Sequence, residues 1–151
     1  MRNQRACLLT IEATAVVLEE PISYGDVGLA GDATEAAMQR ILDGIWKWSP
    51  IPMAVELVRA GRKASCDLRW RNGKQITAGA ESGLQTETLS AIPFNAGGST
   101  PTELTRQGVD EIRAAFAAVA FRPAHTGFDA VRIHAVHGYL RLSFHLPLAI
   151  S

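Results

Sequence analysis

Apolar positions in the first third of the chain recur with a helical period. Four of them have neighbours three and four residues away, at positions i, i+3, i+4 and i+7: Met38, Ile41, Leu42 and Ile45. This spacing places them on one face of a helix, and we expect that helix over 33–48. Asp32 can cap it, Glu35 can complete a capping box, and Pro50 lies just beyond its end.

A second helix is predicted from TPTE at 100–103, which supplies a cap, a proline at the first helical position and a glutamate at the third. The apolar residues after it again share one face: Leu104, Val109, Ile112, Phe116 and Val119. Pro123 is expected to end this helix.

The pattern between the helices changes to the two-residue period of strands. A strand at 53–59 turns through 60–63, so that Leu57 lies opposite Cys66. A three-residue loop then pairs Cys66 with Ala78, with Gly73 left-handed at a bulge. We expect a three-strand antiparallel meander with one apolar face.

The segment RIHAVHGYLRLSFH alternates in the same way around a turn at His137-Gly138. Ile133 would pair with Leu142 on the core side of a hairpin. The other face would carry Arg132, His134, Tyr139, Arg141, Ser143 and His145. In this register His134 and His145 stand apart, and His137 lies in the turn.

These elements predict a two-layer α+β sandwich. Its antiparallel sheet combines the meander, the C-terminal hairpin and a possible N-terminal strand, with two helices on one face. Residues 1–151 are interpreted as a single domain, in which 1–31 forms an N-terminal strand or an extension.

Composition narrows the function classes. Lys+Arg and Asp+Glu both number 15 in 151 residues, so the chain lacks the basic excess that is typical of nucleic-acid binders. No apolar stretch is long enough to span a bilayer. Cys7 and Cys66 do not have the spacing of metal ligands. We expect a cytoplasmic protein that binds neither nucleic acid nor membrane.

Few residues of the sequence suggest a metal site or a catalytic site. His134 and His137 form H-x-x-H across a turn, whereas a zinc site needs three or four converging ligands. NAGGST at 95–100 could cradle an anion or be a plain loop. We expect no metal, no cofactor and no catalytic residues. An enzyme remains an alternative if a cleft joins His125 or His145 to Asp129 or Glu81.

The order of elements resembles a known family. A helix closing on Trp48, three antiparallel strands, a capped helix and a terminal GYLRLSF hairpin resemble the YezG-like immunity proteins of polymorphic toxin systems, over residues 33–147. The resemblance implies stoichiometric inhibition of a cognate toxin, without chemistry of its own.

The binding hypothesis places a protein partner on the polar hairpin face. Tyr and Arg are enriched at interface hot spots, so the partner-binding residues are predicted to be Arg132, His134, Tyr139, Arg141 and His145. A phage or secretion-apparatus subunit and an effector chaperone remain alternatives, as does a small enzyme. The oligomeric state is open.

Overall fold

Helices separate the strands of the main sheet along the chain. The computed structural model describes residues 6–17 and 21–145. The elements, in chain order, are β1 (Leu9–Ala15), α1 (Asp32–Trp46), β2 (Met53–Val58), β3 (Glu87–Thr88), β4 (Thr102–Glu103), α2 (Arg106–Ala120), α3 (Arg122–Thr126), β5 (Ala130–Ile133) and α4 (Leu140–Ser143). A 3₁₀ turn at Gly61–Lys63 follows β2.

The principal sheet is parallel, in the order β1-β2-β5. Leu9 lies beside Met53 across β1 and β2, and Val55 lies beside Val131 across β2 and β5. Helices connect these strands, as parallel neighbours require. The predicted antiparallel two-layer sandwich is therefore wrong, and the single-domain boundary stays a prediction.

Central strand β2 explains the error. Five of its residues are buried and only Glu56 is partly exposed. A continuous apolar run is typical of a parallel strand that is covered on both faces. A two-residue alternation along this run predicted Val58 on the polar face, although Val58 is buried.

The predicted second and third strands of the meander are loop. Cys66 forms an isolated bridge with Gln75, not the expected pair with Ala78. The Asp67 amide donates to the Lys74 carbonyl (2.8 Å). Gly73 has φ +63°, which confirms its left-handed conformation.

Helix α1 confirms the first predicted helix, but its cap differs. Gly31 is the N-cap, and its amide donates to the Thr34 hydroxyl (3.2 Å). Asp32 and Glu35 instead both accept from the guanidinium of Arg122, which begins α3. The acidic first turn of α1 is thus used to hold α3 against it.

Helix α2 begins later than predicted. Thr102 and Glu103 pair with β3 as strand β4, and Thr105 caps the helix by accepting from the Gly108 amide (3.0 Å). Helix α3 then ends at Gly127, whose φ is +89°. A Cβ at Gly127 would lie 2.8 Å from the Trp46 ring, so only glycine fits there.

The first strand and the turn of the predicted C-terminal hairpin are confirmed, but its second strand is not. Strand β5 is present, and His137 (φ +59°) and Gly138 (φ +75°) form a turn. Helix α4 replaces the second strand of the hairpin. Leu140 and Ser143 are buried at helical spacing, because a short apolar run fits either period.

The core lies between the sheet and its helices. It is formed by Val16, Leu29, Met38, Leu42, Met53, Val55, Leu57, Val119 and Phe128. Within residues 6–17 and 21–145, no helix combines the length and apolarity needed to cross a bilayer.

Candidate active site

A cavity of about 740 Å³ lies where β2 and β5 end. We call it the strand-end cavity. Its polar and ionisable lining comes from β1, β2, the connections that follow them and the segment after β5: Glu12, Ser23, Asp26, Glu56, Lys63, Cys66, Asp67, Arg69, His134, His137 and Tyr139. In parallel α/β folds, ligands bind at the carboxyl ends of strands, so this position favours a functional site.

A bulge in β1 forms one wall of the strand-end cavity. Ile11 pairs with Val55 and Thr14 with Leu57, so Glu12 and Ala13 together oppose Glu56. Ala13 has φ +48°, a conformation that is unusual for a residue with a Cβ. Bulges next to cavities redirect backbone and side chains out of the regular ladder.

Three ionisable side chains lie in line on a second wall. Glu56 Oε1 is 3.1 Å from His134 Nδ1, and His134 Nε2 is 3.2 Å from His137 Nδ1. The contact with Glu56 is close but poorly aligned, so the buried Nδ1 atom lacks a well-formed hydrogen bond. Arg132 reaches the same Glu56 oxygen at 3.4 Å.

Tyr139 packs against this row. Its ring centroid lies 4.9 Å from that of His134. Burial, more than any charge nearby, raises the pKa of the Tyr139 hydroxyl above its ordinary value. The phenol is therefore protonated throughout the neutral range and can donate a hydrogen.

Lys63 fixes the turn that carries His137. Its ammonium donates to the His137 carbonyl and lies 4.4 Å from the centre of the Phe94 ring. Cys66 also lines the cavity, and burial raises the pKa of its thiol. The thiol is thus kept protonated and unreactive at neutral pH.

The structure divides the five predicted partner-binding residues. His134 and Tyr139 line the strand-end cavity, and Arg132 contacts Glu56 beside it. Arg141 and His145 lie elsewhere, along an apolar groove. The single polar hairpin face is therefore wrong, because α4 replaces its second strand. A role of the five residues in partner binding stays a prediction.

The positions of the histidines are partly as predicted, since His134 and His145 lie in different cavities and His137 lies in the turn. His137 lies beside His134, since the left-handed turn folds its ring back. By contrast, the pairing proposed for an enzyme is absent among the described residues. His125 approaches Glu35 (3.7 Å), and Asp129 accepts from the Met53 amide (2.8 Å) at the opposite end of β2.

The second large cavity is a groove of about 810 Å³, which we call the helix groove. It runs between α2, edge strand β5 and α4. Its lining is mostly apolar: Val109, Ile112, Ala114, Phe116, Ala117, Ile133, Leu140 and Phe144, with Asp110, Arg113, Arg141 and His145.

The candidate anion-binding loop NAGGST does not lead directly into a helix. Strand β4 separates it from the start of α2, so that loop is not the N-terminus of a helix.

Comparison with known proteins decides the family. The model of the NADH:flavin oxidoreductase / NADH oxidase family matches residues 3–149. The chain belongs to this family. An NADPH dehydrogenase from Listeria innocua is 34% identical over 142 residues, covering 94% of this chain and 37% of the relative. An NADH:flavin oxidoreductase from Gibberella zeae is 34% identical over 145 residues, covering 94% and 35%.

Solved structures agree on the fold of the chain. Morphinone reductase superposes with a TM-score of 0.75 at 22% identity, over 95% of this chain and 39% of that one. An Old Yellow Enzyme from Pichia sp. superposes with a TM-score of 0.77 at 22% identity, over 95% and 37%. These neighbours are parallel β/α barrels, and the chain has the fold of one part of such a barrel. It spans just over a third of the length of its curated relatives.

Family membership corrects the functional interpretation. The resemblance to YezG-like immunity proteins is wrong, as are the expectations of a toxin-binding partner and of a protein that is not an enzyme. Sequence reasoning missed Glu56, Lys63 and the Glu12–Ala13 bulge. The usable signal was the order strand, helix, strand, helix, strand, which predicts parallel pairing and a site at the strand ends.

Proposed function

We propose that this chain forms the part of a flavin-dependent NAD(P)H oxidoreductase that orients a small-molecule acceptor and provides its proton. The observation that carries the proposal is the convergence of Glu56, His134, His137 and Tyr139 on one cavity at the carboxyl ends of parallel strands. Family membership and relatives named NADPH dehydrogenase support it. A cytoplasmic location is part of the proposal.

The residues of the strand-end cavity fit a flavin. Its volume of about 740 Å³ is in the ordinary range for small-molecule and cofactor sites. A flavin ring has one edge with both hydrogen-bond donors and acceptors. The cavity offers the Glu56 carboxylate as acceptor, the Lys63 ammonium as donor, and the backbone of the Glu12–Ala13 bulge outside the regular ladder.

A bound flavin supplies hydride transfer. Reduction of an acceptor by hydride also consumes a proton, and Tyr139 holds one in a partly buried phenol. The paired rings of His134 and His137 orient a polar atom of the acceptor beside that phenol. Lys63 keeps His137 in position through its carbonyl.

Flavin binding tests the proposal directly. The purified protein is titrated with flavin mononucleotide and with flavin adenine dinucleotide, and quenching of flavin fluorescence is followed. Saturable binding of one of them is expected, followed by bleaching of the visible flavin band when NADPH or NADH is added without oxygen. Lys63→Ala should weaken binding by roughly tenfold, the loss of one charge-assisted hydrogen bond.

Arg141→Ala is the matched control, because it removes a cation from the helix groove and leaves the strand-end cavity intact. It should bind flavin like the unchanged protein. If neither flavin binds, or if Arg141→Ala weakens binding as much as Lys63→Ala does, the proposal is wrong.

A further inference from the structure

Trp70 is the most exposed apolar side chain in the lining of the strand-end cavity. It is 81% exposed, and Phe94, which also lines the cavity, is 41% exposed. The side chains of Glu56 and His134, by contrast, are only 12% and 9% exposed. The cavity therefore has a polar interior and an apolar mouth.

The turn that carries Trp70 is closed by its own backbone. The amides of Arg71 and Gly73 both donate to the carbonyl of Leu68, at 2.9 and 3.2 Å. Gly73 supplies the left-handed conformation that this closure uses, with φ +63°. Trp70 lies inside the closed turn, so its backbone is ordered by bonds that do not involve the indole.

A second set of contacts fixes this turn against the connection that follows β1. The hydroxyl of Tyr24 donates to Oδ1 of Asp67 (3.0 Å). The Leu68 side chain packs on Gly25 so closely that a Cβ there would lie 2.6 Å from Leu68 Cδ2. Trp70 is therefore held in place at the cavity wall, and a ligand that meets it loses little additional entropy in ordering the protein.

The indole of Trp70 has no ring and no cation stacked on it within the described part of the chain. The ring of Phe94 differs, because the Lys63 ammonium lies 4.4 Å from its centre. Aromatic rings gain energy from stacking beyond the area that they bury. An ordered and unstacked indole at the mouth of a cavity is thus suited to stack on a bound ligand.

We propose that Trp70 is a specificity-determining residue that stacks on a flat, apolar end of the acceptor, while the polar end of the acceptor lies in the interior of the strand-end cavity. The substrate class is then an amphipathic acceptor with one polar group and one planar apolar group. Calling the ligand an acceptor rests on the proposed function, whereas the stacking on Trp70 does not.

Binding of two neutral amides, neither of which takes up a hydride, tests the stacking without flavin or turnover. Benzamide has a polar end and one ring, and biphenyl-4-carboxamide adds a second flat ring. Equilibrium dialysis should show tighter binding of biphenyl-4-carboxamide. Trp70→Ala should reduce this preference by about three- to tenfold, the contribution of one aromatic pair, and leave benzamide binding unchanged. Trp70→Phe keeps a ring and should retain most of the preference.

Trp48→Ala is the matched control, because Trp48 is 90% exposed and lies outside the lining of the cavity. It should leave both affinities unchanged. An unaltered preference in Trp70→Ala, an equal loss in Trp48→Ala, or no binding of either amide would overturn the proposal. Failure to bind flavin in a protein that keeps the amide preference would count against the proposed function alone.

Discussion

The strand-end cavity and the helix groove have similar volumes, about 740 and 810 Å³, but they differ in how many ionisable groups line them. The first is lined by carboxylates, imidazoles, a phenol and an ammonium. The second is lined mainly by aliphatic and aromatic side chains of α2, β5 and α4. Size alone therefore does not distinguish a site for chemistry from a site for packing.

Their positions explain the difference. The strand-end cavity lies at the carboxyl ends of the parallel strands, where the side chains that follow the strands converge. The helix groove borders edge strand β5, all four residues of which are exposed. Relatives are longer than this chain, and in a barrel each strand has two neighbours. The apolar wall of the groove is what an uncovered β/α layer would present.

The largest expected effect comes from β2, the central strand of the sheet. Leu57 is fully buried on β2, and its partner across the parallel register, Ile133, is 51% exposed. Leu57→Ala should lower the free energy of unfolding by about 2–5 kcal/mol, because it removes buried methyl groups and leaves a cavity. Ile133→Ala should cost less than about 1 kcal/mol.

Urea denaturation followed by circular dichroism measures both values. Ile133→Ala is the matched control, since it changes the same residue class at the same height in the sheet. Equal losses for the two variants would contradict the assignment of β2 as centre and β5 as edge.

The next largest effect is expected on the reaction rate, and it should distinguish the strand-end cavity from the helix groove. Tyr139→Phe removes the phenolic hydrogen from the strand-end cavity but keeps the ring packed on His134. NADPH-driven reduction of an acceptor should fall about a hundredfold or more, the usual loss of a general acid. Flavin binding should change little. Arg141→Ala, in the helix groove, should leave both unchanged.

Initial rates of NADPH oxidation at saturating flavin provide the measurement. Tyr24→Phe is a second control, because Tyr24 bonds to Asp67 and is 45% exposed. A Tyr139→Phe protein with full rates would show that the proton comes from another group. An equally large loss of rate in the Arg141→Ala protein would mean that the two cavities do not differ in their role in the reaction.

Sequence patterns predicted several elements of this fold correctly. The helical stripe of Met38 and Leu42, the strand predicted at 53–59 and found at Met53–Val58, the turn at His137-Gly138 and the left-handed Gly73 are all present. Each depends on neighbours within a few residues. Local periodicity and turn chemistry suffice for such features.

Strand direction did not follow from these patterns. Parallel pairing of β2 with β1 and β5 joins residues more than forty positions apart, and nothing local to MAVELV specifies it. The error then spread, because the predicted antiparallel hairpin placed His134 and His145 on one face, whereas the structure places them in two different cavities. The site could have been approached only through the alternation of strands and helices, which predicts parallel pairing.

The smallest effect concerns the proton on Tyr139. Burial raises the pKa of this hydroxyl above its ordinary value of 10.0. The folded state thus favours the neutral phenol, so its contribution to stability is full below that ordinary value and is lost as pH rises through the raised one. In Tyr24→Phe protein, where Tyr139 is the remaining tyrosine, ultraviolet difference absorbance should show ionisation at higher pH when folded than in urea. Equal midpoints would mean that the Tyr139 hydroxyl is as accessible to water as in the unfolded chain, and burial would then not be what distinguishes the strand-end cavity from the helix groove at this residue.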